Sequence, residues 1–194
     1  MIKKPTPKTH ALLALVFCWL VCGLEISAGD LKEISNFRQY SETFASSGQP
    51  SVEDLQTVED AGFERVIYLA FSDDGTAIEA EDRLVKEHGM RYVHIPVDFN
   101  KPEIAEFQTF LHLMQAEPKT KTLLHCQINL RASTFSMLYR VIALGVPLGE
   151  AKVAFDSVWQ PNETWYRFIV SVLGQYNLSH ECEHCDWGEL SFTD

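Results

Sequence analysis

Cysteine 126 is the side chain best placed to do chemistry. It follows the short apolar run Lys121-Thr122-Leu123-Leu124-His125 and precedes Gln127-Ile128-Asn129-Leu130-Arg131-Ala132-Ser133, after which an apolar stripe runs to Leu144. The pattern predicts a buried strand, a tight turn and a helix over Ser133 to Leu144. A thiol at such a junction faces backbone N–H groups that no intrahelical carbonyl satisfies. Those groups bind anions and favour thiolate over thiol. Asn129 tolerates the left-handed conformation that a tight turn demands. Arg131 offers a planar fork of donors to a tetrahedral oxyanion, and Ser133 can cap the helix or donate to the sulfur. The same residues also allow a plainer reading, a buried structural cysteine before an ordinary helix.

The second candidate is Asp98, in the loop Asp98-Phe99-Asn100-Lys101-Pro102. A loop aspartate is commonly a turn residue. This one lies just beyond the predicted strand Arg91–Pro96, on the rim that Cys126 occupies, where it can serve as a general acid if burial or a bound anion keeps it protonated. His125 is expected to orient the loop through ring hydrogen bonds.

The elements that must position these groups alternate. After an extended stretch around Phe37 to Phe44, Ser51 and Asp54 have the spacing of a capping box, opening a helix that Gly62 ends. Arg65–Ala70 reads as a strand broken by Asp73, Asp74 and Gly75, and Ala77–His88 as a helix closed by Gly89. Pro102 suits the first turn of a helix running to about Gln115. Helices are also expected around Leu148–Val158 and Glu163–Leu173, with Trp159, Trp165, Tyr166 and Phe168 as core packing. Strands separated by helices predict one α/β domain over residues 30–175, a central and mostly parallel sheet flanked by helices. Ligands of such sheets sit beyond the carboxyl ends of the strands.

Ser47-Gly48-Gln49-Pro50, Val66-Ile67-Tyr68-Leu69, Ile95-Pro96-Val97-Asp98 and the loop from His125 to Ser133 resemble the cysteine-dependent protein tyrosine and dual-specificity phosphatases. The likeness is closest to a bacterial branch whose domain is also found fused to NAD kinase. It implies a phosphomonoesterase in which Cys126 forms a phosphocysteine intermediate. Asp98 would protonate the leaving oxygen, and residues Gln127, Ile128, Asn129, Leu130, Arg131, Ala132 and Ser133 would cradle the phosphoryl group of a phosphorylated substrate. No cofactor or metal is implied. One departure matters: the family places five residues between cysteine and arginine, whereas four separate Cys126 from Arg131. Aligned without a gap, Ala132 falls where the arginine belongs. Either the loop tightens so that Arg131 turns inward, or the clamp is incomplete. The four-residue spacing also resembles the active-site loop of rhodanese sulfurtransferases, and a catalytically silent phosphate-binding module is the third reading.

The formal charge of −11 disfavours nucleic acid and anionic lipid as partners. Lys3, Lys4 and Lys8 followed by the apolar run Ala11–Leu24, with small residues at Ser27, Ala28 and Gly29, read as a signal peptide over residues 1–28. Its removal predicts a periplasmic or secreted protein with no membrane attachment. Cys18 and Cys22 leave with it. In the tail 176–194, which also carries His180 and His184, Cys182 and Cys185 either pair, as an oxidising compartment favours, leaving Cys126 free, or hold zinc or copper with the histidines.

Overall fold

The computed structural model describes residues 30–183 and 185–188, together with Met1; the predicted signal peptide and His184 lie outside the described residues. Among the described residues, no helix is long and apolar enough to cross a membrane. The strands are β1 (Arg38–Ser41), β2 (Phe44–Ser47), β3 (Arg65–Tyr68), β4 (Arg91–His94) and β5 (Thr122–His125). The helices are α1 (Asp54–Asp60), α2 (Glu81–Glu87), α3 (Ile104–Ala116), α4 (Leu130–Ile142), α5 (Leu148–Asp156) and α6 (Glu163–Gln175). The five strands form one sheet in the order β1-β2-β5-β3-β4, parallel throughout except for the β1–β2 hairpin at one edge. The expected α/β sheet with helices on both faces is what the chain forms.

Strand alternation divides the core. Ala45, Val66 and Leu123 face α1 and α2 and pack with Leu55, Val58 and Val85. Phe44, Ile67 and Leu124 face the opposite way, toward Phe107, Phe110, Phe135 and Trp165 of α3, α4 and α6. β5 is central and buried along its whole length, so its carboxyl end is held from both sides. α4 is buried from Arg131 to Tyr139, which fixes the helix that follows the Cys126 turn.

Three of the boundaries that differ from the sequence reading do so for a local reason. α2 begins at Glu81 because Ala80 takes a left-handed conformation (φ 57°), so residues 72–80 form a loop at the carboxyl end of β3. Pro102 precedes the α3 N-cap, which is Glu103 in a reciprocal capping box with Glu106. α4 starts at Leu130, three residues earlier than expected, directly after Asn129 with φ 74°. The Ser51–Asp54 box forms as read, with backbone-to-side-chain bonds of 2.8 and 3.1 Å in the two directions.

Candidate active site

Parallel register brings Ser47, His125, Tyr68 and His94 into one row at the carboxyl edge of the sheet. Paired residues in register point to the same face, so the Tyr68 ring stacks on His125 at 4.7 Å and on His94 at 5.3 Å between centroids. The next residue along β5 is Cys126, which is 1% exposed and the free cysteine among the described residues.

Neighbouring backbone shapes the loop after Cys126 from outside. The Gln49 N–H donates to the Gln127 carbonyl at 2.9 Å, and Gly48 bridges Ile128. Asn36 Nδ2 donates to the Ile128 carbonyl at 3.0 Å, while Asn129 Nδ2 donates back to the Asn36 carbonyl at 2.7 Å. The loop carbonyls are therefore turned outward. In contrast, the N–H groups of Gln127, Ile128, Leu130 and Arg131 pair with no acceptor among the described residues. Such a nest of amides at a helix N-terminus is an anion site.

Arg131 turns inward. Its side chain is 5% exposed and lies over the Phe99 ring, with the guanidinium carbon 5.4 Å from the centroid. Nη1 reaches Gln127 Oε1 at 3.4 Å and Nη2 reaches Asp74 Oδ2 at 3.5 Å, both long, and Nε is buried with no partner. Cys126 and Arg131 line the same cavity of about 170 Å³, together with Phe99, Gln127, Ile128 and Leu130. The four-residue spacing is thus accommodated by the left-handed Asn129, which starts the helix one residue before Arg131. Ala132, at the gap-free arginine position, is fully buried in the core, so only its backbone faces the loop. The Ser133 hydroxyl donates to the Leu130 carbonyl at 3.1 Å and not to the sulfur.

Asp98 is half-buried and held in a turn: its Oδ1 accepts the Asn100 N–H at 2.8 Å. It does not line the 170 Å³ cavity, whereas its neighbour Phe99 does. The Trp165 indole N–H donates to the Phe99 carbonyl at 2.9 Å and fixes this loop from behind. The carboxylate beside Arg131 is instead Asp74, from the loop after β3, a residue legible in the sequence only as part of a strand-ending turn. The expected ring hydrogen bonds of His125 are corrected by the geometry. Neither ring nitrogen has a well-aligned partner, Nε2 lies 3.5 Å from Glu81 Oε1, and burial pushes the imidazole down to about 3. Burial likewise pushes the Glu81 carboxyl up to about 7 despite bonds from Gln49 and Tyr92.

A mostly parallel sheet with a cysteine at the end of its central strand, an amide nest and an inward arginine defines the architecture of the cysteine-dependent phosphatases. The sequence profile described as "DSP-PTPase phosphatase fused to NAD+ Kinase" matches residues 26–154, and the chain belongs to this family. The Shewanella putrefaciens CN-32 protein described as "Putative phosphatase (DUF442)" is similar at 28% identity, covering 77% of this chain and 97% of that one with a TM-score of 0.69. The active form of Tk-PTP is similar in fold, at 18% identity, 72% and 97% coverage and a TM-score of 0.62. Pseudomonas aeruginosa TpbA in complex with phosphotyrosine shares the fold at 20% identity, 62% and 72% coverage and a TM-score of 0.53. No curated protein sequence matches the chain.

Proposed function

We propose that this protein is a phosphomonoesterase that works through Cys126, with an aryl phosphate as its substrate class. The observation that carries the reading is the unpartnered, buried Nε of Arg131 in the cavity it shares with Cys126. An unsatisfied buried donor of a permanent cation is costly unless an anion completes it. In the first step the Cys126 thiolate attacks phosphorus, the S–P bond forms and the P–O ester bond breaks, and the leaving oxygen takes a proton from a carboxylic acid. Water then attacks phosphorus, giving a proton to the carboxylate left by the first step, the S–P bond breaks, the thiolate is regenerated and inorganic phosphate leaves. Arg131 and the loop N–H groups hold the equatorial oxygens, where charge spreads in the transition state. Phe99, Ile128 and Leu130 supply apolar walls for a ring, and the phosphotyrosine held by TpbA supports that class.

We assign the proton donor to Asp98, which matches the family's acid by position. Asp74 is a second candidate on one observation, its 3.5 Å approach to Arg131. The exported location is part of the proposal, supported by the basic and apolar N-terminal sequence and by the Cys182–Cys185 disulfide. N-terminal sequencing of the periplasmic fraction should begin near Gly29.

The reading is tested by trapping. Brief incubation with an aryl phosphate followed by acid quench is expected to leave one phosphate on Cys126 by mass spectrometry, and none in Cys126→Ser. A persulfide on Cys126 after thiosulfate, with no phosphate adduct, would replace this reading with sulfur transfer.

A further inference from the structure

Glu81, the first residue of α2, is only 4% exposed, yet it touches the anion loop's support from two directions. Its Oε1 accepts the Gln49 Nε2 donor at 2.6 Å and lies 3.5 Å from His125 Nε2, and its Oε2 accepts the Tyr92 hydroxyl at 3.3 Å. Gln49 passes the contact on, since its backbone N–H holds the Gln127 carbonyl. His125 does the same on the other side, being bonded to Cys126 and fixed flat on Tyr68. One carboxyl from a separate helix thus holds the Gln127 end of the segment 125–127 through Gln49 and packs against His125 at the other end.

We propose that Glu81 is a positioning residue for the anion loop, holding Gln127 through Gln49 and packing against the His125 ring, so that a negative charge on its carboxyl opposes thiolate and bound oxyanion at Cys126. The proposal rests on the reading of Cys126 as the nucleophile. The charge state follows from the surroundings. Facing Glu81 are Tyr68 from β3, Tyr92 and His94 from β4 and His125 from β5, while Glu79 and Asp82 share with it the lining of a 320 Å³ cavity. No lysine or arginine lines that cavity. His125 stays neutral near pH 7, being pushed down to about 3, so it supplies no counter-charge. With the carboxyl raised to about 7 by burial, the brace is neutral in mildly acidic solution and becomes anionic as the pH rises through neutrality. A buried charge of that kind acts over several ångströms because little water screens it.

The test is the rate of iodoacetamide alkylation at Cys126, followed by peptide mass spectrometry from about pH 5 to about pH 9 across the thiol range, in the wild-type protein, Glu81→Gln and Tyr92→Phe. The wild-type curve is expected to carry an inflection near 7. In Glu81→Gln that inflection disappears and the alkaline rate rises about fivefold, the change expected for removing one nearby buried charge. Tyr92→Phe removes a donor that favours the carboxylate, so its inflection moves to higher pH. A merely structural role for Glu81 moves none of these features. Superimposable wild-type and Glu81→Gln curves would overturn the proposal. If Glu81→Gln does not fold, an unmoved inflection in Tyr92→Phe overturns it. Alkylation needs no turnover. A failed phosphate trap with the expected curves therefore removes the phosphatase reading and keeps the Glu81 assignment, and a successful trap with superimposable curves does the reverse.

Discussion

At the residue scale, Arg131 is poised for an anion, and Asp98 and Asp74 are the carboxyls proposed near it. The guanidinium holds two long contacts and leaves Nε unpaired, so an entering oxyanion completes its hydrogen bonding without first breaking a strong ion pair. If Asp98 is the acid, Asp98→Asn slows an alkyl phosphate on the order of a hundredfold or more, the usual worth of a general acid, and an activated aryl phosphate much less. Steady-state kinetics on the two substrates measures the split. Asp74→Asn is expected to tighten inorganic phosphate inhibition a few-fold, since it removes the negative charge nearest the clamp. If the leaving-group dependence appears in Asp74→Asn instead, the acid is Asp74. Glu81 and His125 also tie stability to pH, with opposite signs. The folded pKa of Glu81 is raised from 4.5 to about 7, so its stabilisation is complete below 4.5 and is lost as the pH rises through 7. His125 is lowered from 6.5 to about 3, so its contribution is complete above 6.5 and is lost as the pH falls through 3. Urea denaturation should find that Glu81→Gln gains on the wild type by about 3 kcal/mol between mildly acidic and alkaline solution.

At the scale of elements, the anion loop is a joint between four pieces of chain. The β2–α1 connection supplies Gly48 and Gln49, the turn before β1 supplies Asn36, β5 presents Cys126, and α4 contributes its first N–H groups. Gly48 is needed for its lack of a side chain and not for its backbone angles. A Cβ there would stand 2.9 Å from the Gln127 carbonyl oxygen and 2.9 Å from Ser35 Cβ. Both neighbours belong to the packed wall of the loop, so the loop must give way. Gly48→Ala should lower stability by about 1–3 kcal/mol, the range for overpacking a closed site, and weaken phosphate binding at the same time. Thermal melts with and without phosphate separate the two effects, and a Gly48→Ala protein that keeps its phosphate-induced shift would show that the loop can move without loss.

The whole molecule extends past α6. The tail folds back over α5 and α6: Trp187 packs on Phe155 and Tyr166 and donates from its indole to the His180 carbonyl at 3.2 Å. Lys152, 2% exposed and held by Asp156 of the same helix at 2.6 and 2.8 Å, anchors it by contacting the Asp186 carbonyl and lying under the Trp187 ring. None of these residues lines the cavity at Cys126. Lys152→Met should therefore release the tail to limited proteolysis beyond Gln175 while kcat/KM on an aryl phosphate stays within about twofold, the additivity expected of distant sites. Reducing the Cys182–Cys185 bridge should cost about 2 kcal/mol or less, because the loop it closes is short.

The alternation of apolar runs and turn residues determined the order of strands and helices, and the segment from His125 to Ser133 determined where an anion would bind. These signals are local in the chain: a buried strand, a residue that tolerates positive φ and the start of a helix are written in adjacent positions. Cys182 and Cys185 were legible as a local pair for the same reason, three residues being a reach that needs no fold, while the choice of a disulfide over a metal came from the structure. Tertiary structure decided the rest. Whether Arg131 or Ala132 faces the cavity depended on where α4 begins, and that was set by Asn129 docking on Asn36, 93 residues away. Asp74 and Glu81 approach the site from a loop, residues 72–80, and from the helix start that the left-handed Ala80 sets at Glu81. Their partners, Arg131 and His125, stand 57 and 44 positions further along, and no local pattern marks such a pair, because its energy comes from burial and packing between elements and not from the periodicity of either one.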